Sequence, residues 1–282
     1  MQSTDAKDEA ELQRVLVRVR RALLPDDLEA ALAQLSQFPG KADARTVLLE
    51  RFRALTTNRR RDADGRLRWQ LLRALRDLAT AADVPLLLAA TRTFEHIPPS
   101  FEEVAHGIRA EALHRLLEVD GNLGRLRAIE MLADGQDNPV TGEPARTAVR
   151  VLAAAGEMML LYGIALDNPY GLVPAARAES LLWLDGVPDD RLRMVIDRFL
   201  EQDWPNLVIS VIELGVERRV EWLDDVLIKV LVGTSDLDAF RYAILQATAR
   251  HRSDLVKRLR GRLDSNEQAD KLAVMSQIEG AG

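Results

Sequence analysis

DNPVTGEPARTAVRVL (residues 137 to 152) is followed by DNPYGLVPAARAESLLWL (residues 167 to 184). Each stretch is an Asp-Asn-Pro turn, a Gly, a second Pro and an Ala-Arg pair that opens an apolar run with helical spacing. The turns stand 30 residues apart, and Arg146 and Arg177 stand 31 apart. That period is the size of a helical repeat, in which each unit is a helix pair that buries its apolar face only against its neighbours.

Working outward, the same pattern recurs as offsets from an anchor. From Leu28, the residues Ala31, Leu32 and Leu35 stand at +3, +4 and +7, the spacing that puts side chains on one helix face. Arg68 gives Leu71, Leu72 and Leu75, and Arg109 gives Ala112, Leu113 and Leu116. Arg177 gives Ser180, Leu181 and Leu184, and Leu207 gives Ser210, Val211 and Leu214. Arg241 gives Ile244, Leu245 and Thr248. Arg146 fits imperfectly, with Val149, Arg150 and Ala153, so its register is open to a one-residue slip.

A second helix is expected after each anchor, at 43–56, 83–94, 122–133, 157–166, 188–201, 220–232 and 253–263. Residues 8–24 form an N-terminal cap helix, with Leu12, Val15, Leu16, Val19 and Leu23 on one stripe, and 266–278 form the C-terminal cap. Strand candidates are absent. Two longer connections, Asn58 to Gly65 and Glu95 to Ser100, stand out as insertions. The expected fold is all-α: a right-handed α-α superhelix of about seven helix pairs, read as one domain. Residues 1–24 are its N-terminal cap, 25–264 the pairs, and 265–282 the C-terminal cap and tail.

A turn with Asp and Pro, then an apolar residue and Arg, then small and Leu positions at +3, +4 and +7, resembles the HEAT and HEAT-like (armadillo-type) repeat superfamily over about 28 to 264. The resemblance implies first helices on a convex side and second helices lining a concave one. Members are mostly scaffolds, and a minority are enzymes, including alkylpurine DNA glycosylases and bilin-attachment lyases. Fold likeness alone does not carry chemistry across.

Composition narrows the function classes. Hydrophobic residues make up 47% and aromatics 5%, which suits helices packed through Ala and Leu. No apolar run approaches the ~18–20 residues needed to span a bilayer, and the acidic start MQSTDAKDEAE is unlike a secretory signal, so a cytoplasmic address is expected. The absence of cysteine excludes disulfides, thiolate metal sites and a Cys nucleophile. Residues 1–76 carry 16 Lys and Arg against 11 Asp and Glu, residues 77–240 carry 14 against 28, and residues 241–282 carry 8 against 5. An acidic centre disfavours a nucleic-acid track and favours a basic or apolar partner there, with Asp224 and Asp225 as candidate contacts.

The recurrent arginines Arg68, Arg109, Arg146, Arg177 and Arg241, with nearby Asp64, Asp137, Asp167 and Asp236, read as a structural ladder, because a residue needed once per unit does a job found once per unit. Basic surface clusters are Arg59, Arg60 and Arg61, and Lys257, Arg258 and Arg260; the functional reading of these is an anionic partner held at either end. His106 and His114 are eight residues apart on one helix, about 12 Å along its axis and too far to share a metal. Trp69, Trp183, Trp204 and Trp222 have acidic neighbours, but the chain cannot be placed onto a glycosylase constellation of aromatic walls and a carboxylate. No P-loop, GxSxG, HExxH or Rossmann fingerprint is present. No catalytic residue, metal or cofactor is assigned.

The second helix at 157–166 differs from the others. After Glu157 come Met158, Met159, Leu160, Leu161, Tyr162, Gly163, Ile164, Ala165 and Leu166, so the helix has no polar face. With Leu160, Leu161 and Ile164 inward, Met158, Met159, Tyr162 and the turn residue Tyr170 are the candidate contacts for a partner's helix or peptide. The sequence thus reads as a non-enzymatic protein-interaction scaffold. The alternative is a HEAT-like enzyme or nucleic-acid-binding protein of the glycosylase or lyase kind.

Overall fold

A computed structural model describes residues 2–38, 42–99, 102–202, 204–264 and 267–281. The chain is all-α. In order, its helices are α1 (Gln2–Arg21), α2 (Pro25–Leu35), α3 (Ala42–Thr57), α4 (Arg66–Ala74), α5 (Val84–Ala90), α6 (His106–Val119), α7 (Gly121–Ala133) and α8 (Ala145–Ala154). They continue with α9 (Met158–Asp167), α10 (Pro174–Leu182), α11 (Asp189–Glu201), α12 (Pro205–Glu217), α13 (Glu221–Gly233), α14 (Leu237–Ala249), α15 (Ser253–Arg260) and α16 (Ala269–Ala281). Each helix expected from the sequence has a counterpart here, with its ends moved by a few residues.

The helices start where their local chemistry says they should. Proline opens α2 and α12 and sits in the first turn of α5, where a missing N–H costs nothing. Asp120 accepts from Leu123 N at the start of α7, and Asp236 accepts from Asp238 N and Ala239 N at the start of α14. In α11, Leu192, Val195, Ile196 and Phe199 are buried while Arg191, Arg193, Asp197 and Arg198 are exposed, which is the amphipathic stripe the spacing predicts.

The chain forms two compact units, Met1–Glu157 with Tyr170–Ala176, and Met158–Pro169 with Arg177–Gly282. Within the first, α2 packs on α4, α4 on α6 and α6 on α8, while α1 packs on α3. Odd-numbered helices pair with even-numbered ones, α1 with α2, α3 with α4, α5 with α6 and α7 with both α6 and α8. The even-numbered helices thus form a continuous row with the odd-numbered ones beside it, around a core that includes Leu16, Leu28, Leu48 and Leu71. The second unit repeats the scheme, with α12 on α14, α14 on α16, α9 on α11 and α13 on α15, around Leu227, Phe240 and Ile244. Burying each such side chain contributes about 1.5–3 kcal/mol, which is what the repeated offsets encode.

The structure corrects the reading of the helices at three places and settles a register left open at a fourth. Strands are not wholly absent: β1 (His96–Ile97) pairs antiparallel with β2 (Glu102–Glu103), because Pro98 and Pro99 have no N–H to continue a helix and turn the chain back. Leu23 lies past the end of α1 and is 62% exposed, and Ala22 takes the buried position. The register at Arg241 slips by one residue. Phe240, Ala243, Ile244 and Ala247 are the buried set, and Leu245 is 48% exposed. The same slip occurs at Arg146, where Ala145, Ala148, Val149 and Leu152 are all buried.

Candidate functional site

The ladder arginines that sit in register are interior groups. Arg68 is 1% exposed; its Nε donates to Asp62 Oδ2 (2.7 Å) and its two terminal nitrogens donate to the two oxygens of Glu95 (2.6 Å each). Arg109 donates to Gln136 O (2.5 Å) and Glu103 Oε2 (3.2 Å), and its guanidinium lies 4.3 Å from the centre of the Phe94 ring. Arg177 donates to Ala165 O (2.7 Å), Leu166 O and Gln202, with the Phe199 ring 4.7 Å away. The partners differ from those the sequence suggests. Asp64 caps Arg66 N, Asp167 pairs with Arg198, and the buried carboxylates on Arg68 come from the two insertion loops.

Arg241 is not part of this interior set. The one-residue slip puts it outside, half exposed, 3.9 Å from Asp238. Arg146 is half-buried for the same reason. Two cations that the repeat offsets did not single out are interior groups instead. Arg252, 1% exposed, donates to Gly215 O, Val216 O and Asp224 (2.6 Å), and Lys271 donates to Leu231 O and Val232 O (2.9 and 2.8 Å). Burial pulls the Lys271 ammonium below the usual lysine range.

A second ladder escaped the sequence reading altogether. Arg51 of α3 donates to Ala22 O beside the end of α1 (2.6 Å), Arg127 of α7 to Thr91 O at the end of α5 (2.9 Å), and Arg198 of α11 to Leu166 O at the end of α9 (3.2 Å). Each cation from an odd-numbered helix meets the unpaired carbonyls and negative dipole end of the preceding odd-numbered helix. Nothing in the local spacing of those arginines distinguishes them from solvated ones.

The two Asp-Asn-Pro turns, so alike in sequence, do different work. Asp167 is exposed and bound to Arg198, whereas Asp137 is partly buried and accepts from Ala145 N (3.2 Å) at the start of α8. Burial pushes the Asp137 carboxyl up to about 6; Asp134 and Glu143 add to this, and the Ala145 N–H and Arg109 oppose it. A carboxyl raised above its unfolded value of about 3.9 keeps more protons in the folded state between pH ~4 and ~6. Its contribution to stability therefore falls as pH rises through that window and is a full cost at pH 7. Asp137→Asn keeps an acceptor for Ala145 N without the charge. It is expected to stabilise the protein by ~1–2 kcal/mol at pH 7 and by little at pH 4, read from urea unfolding of both proteins at both values. An equal effect at the two pH values would show that the carboxyl titrates normally.

The candidate contact residues are placed as follows. Helix α9 buries Leu161, Ile164 and Ala165, while Met159 is 80% exposed and Met158, Leu160, Tyr162, Gly163 and Leu166 are half-buried. Leu160 is therefore not one of the inward residues. Tyr170, half-buried, belongs to the first unit, whereas Met158, Met159 and Tyr162 belong to the second. Asp224 is 5% exposed and held by Arg252, so it offers nothing to a partner, while Asp225 is exposed and pairs with Arg258 (2.6 Å). Arg59, Arg60 and Arg61 form an exposed short 3-10 turn, with Arg59 3.3 Å from Glu95. Lys257, Arg258 and Arg260 are exposed on α15, and Arg260 pairs with Glu279 (2.8 Å).

A cavity of ≈ 400 Å³ along α10, α12 and α14 gathers Trp183, Tyr242, Glu213, Glu217, Arg218 and Arg250. Its carboxylates are engaged. Glu213 accepts from Tyr242 Oη (2.6 Å), Glu217 pairs with Arg250 (2.8 Å), and nearby Asp185 pairs with Arg218 (2.9 Å). Burial and the bond to Glu213 push the Tyr242 hydroxyl up to about 12, so at neutral pH it stays a donor. Of the other tryptophans, Trp222 lies under the Arg193 guanidinium (4.6 Å) and Trp69 under that of Arg73 (5.5 Å), while Trp204 is 44% exposed at the start of α12. His106 faces Glu103, which raises its pKa, whereas burial lowers that of His114. Among the described residues no three His, Asp or Glu side chains are grouped to hold a metal ion, and no helix is long and apolar enough to cross a membrane. Compared with protein-family models, with curated proteins and with solved structures, the chain has no match.

Proposed function

We propose that the chain is a HEAT-like repeat protein, a right-handed α-α superhelix of seven helix pairs with a capping helix at each end. On this reading it is a cytoplasmic, non-enzymatic scaffold that binds a protein or peptide along its odd-numbered helices. The alternation of two helix rows within each unit supports the repeat reading. The observation that supports the function is the outer side of α9, where the exposed Met159 and the half-buried Tyr162, Gly163 and Leu166 follow one another at helical spacing with no charged side chain among them. An apolar stripe on a helix surface takes up a partner's apolar stripe, and Met with Tyr adapts to it at low cost. The excess of acids in residues 77–240 makes that partner basic or apolar where it touches the surface.

Met159→Arg tests this at an exposed position, and Tyr162→Arg at a half-buried one. The first is expected to leave the melting temperature within about 1 °C of wild type, since surface substitutions are near neutral. It should also weaken capture of a partner recovered with the wild-type chain by at least about tenfold, or ~1.4 kcal/mol. A partner captured equally well by both proteins would sink the α9 reading. The Trp183 and Tyr242 cavity is the one feature that favours the alternative, an enzyme acting on nucleic acid or a small molecule. Salt-sensitive retention of DNA with release of a base would move the reading there.

A further inference from the structure

The groove between α13 and α15 in the second unit is built on another principle. It has a volume of ≈ 810 Å³, within the ~300–1,000 Å³ typical of ligand clefts, and its accessible apolar side chain is the half-buried Val232, set beside Ile228, which is 8% exposed. Lys229, Lys257, Arg258 and Arg262 stand around it against a single acid, Asp225. Arg258 is already engaged, with Asp224 at 3.4 Å and Asp225 at 2.6 Å. Lys229, Lys257 and Arg262 are exposed and form no ion pair with any carboxylate among the described residues.

Such a cluster is out of keeping with its surroundings. The chain has an excess of acids overall, and most arginines near it have found a carboxylate or a helix-end carbonyl. Three unpaired cations around one groove repel, and a bound anion relieves that repulsion. The apolar surface between them adds a second requirement, because a free inorganic anion would leave the half-buried Val232 uncovered.

We infer that this groove binds an acidic peptide segment with one apolar stripe, its carboxylates against Lys229, Lys257 and Arg262 and its apolar stripe on Val232. Two helices in contact side by side offer the trough into which an amphipathic helix fits. Single-stranded nucleic acid fits it less well: no aromatic ring lines the groove to stack a base, and Asp225 repels a phosphate backbone. The site is distinct from the α9 face and carries the opposite charge preference, so either can fail without the other.

Fluorescence anisotropy on the full chain tests the inference. The probes are a fluorescein-labelled peptide of repeating Leu-Glu-Glu-Leu, the same peptide with Lys for Glu, and a labelled oligo-dT. The acidic peptide is expected to bind saturably, to weaken as salt rises from about 0.05 to 0.5 M, and to outcompete the other two probes. Lys257→Glu with Arg262→Glu should weaken it at least about tenfold. Gly233→Trp provides an uncharged check: Gly233 lines the groove and a Cβ there meets nothing within 4 Å, so a bulky side chain starts from open space at the groove. It should weaken binding as much while circular dichroism and melting stay at wild-type values. Absence of saturable binding overturns the inference, as does binding indifferent to both variants. Tighter binding of oligo-dT than of the acidic peptide overturns it in favour of a nucleic-acid groove.

Discussion

Arg68→Ala is expected to destabilise the first unit by about 3–5 kcal/mol, because it removes the buried cation that lies between the buried carboxylates of Asp62 and Glu95. Asp62 and Glu95 are 3% and 7% exposed, and Arg68 answers both, Glu95 through a two-pronged contact. Without it Asp62 keeps the N–H groups of Leu67 and residue 68, but Glu95 keeps only the exposed Arg59 at 3.3 Å. Uncompensated buried charge is what makes the loss large, far more than the ~0–1 kcal/mol of a surface pair. Arg68→Lys should recover only part of it, since one ammonium cannot reproduce the planar fork that reaches both carboxylates. In thermal unfolding the first unit's transition should drop by on the order of 10 °C. A drop under about 2 °C would mean that the network is hydrated in solution.

The second large effect sets two glycines in opposite directions. Gly124 of α7 is buried against α6, and a Cβ added there would stand 2.7 Å from Leu117 Cα and 3.0 Å from Leu117 N. Those are backbone atoms, so the helix itself has to move. In an open helix Gly→Ala gains up to about 1 kcal/mol, yet Gly124→Ala should lose ~1–3 kcal/mol through overpacking. Gly163→Ala on α9 has nothing within 4 Å of the new methyl and should show the gain, about 0.5–1 kcal/mol. Urea unfolding of the two variants side by side gives the signs. If both stabilise, α6 and α7 are not in the close contact described.

Of the surface candidates, the sequence found the unusual helix and misjudged its neighbours. An apolar run with no polar face is visible in residues 158–166, and Met159 is indeed open. That Asp224 is unavailable and Asp225 is not could not be read locally, because the difference is the approach of Arg252 from 28 residues away. The α13 and α15 groove was present in the sequence as separate basic residues, Lys229 in one helix, and Lys257 and Arg258 in another with Arg262 just past its end. Only packing sets them around a shared apolar surface.

The sequence by itself determined the helices. Spacing at +3, +4 and +7 states which face must leave water, and proline and aspartate at the turns state where a helix can start, both within one or two turns of chain. Leu28, Arg68, Arg109, Arg177 and Leu207 are buried where that spacing puts them. Tertiary structure alone decided which charged residues go inside with them. Arg241 and Arg252 are both arginines near the same helix, but one points to solvent and the other is 1% exposed. A guanidinium can be buried only where carbonyls or carboxylates from other helices replace its water, and Gly215, Val216 and Asp224 supply those groups at Arg252. Their positions depend on how whole helices stack, which no local spacing contains.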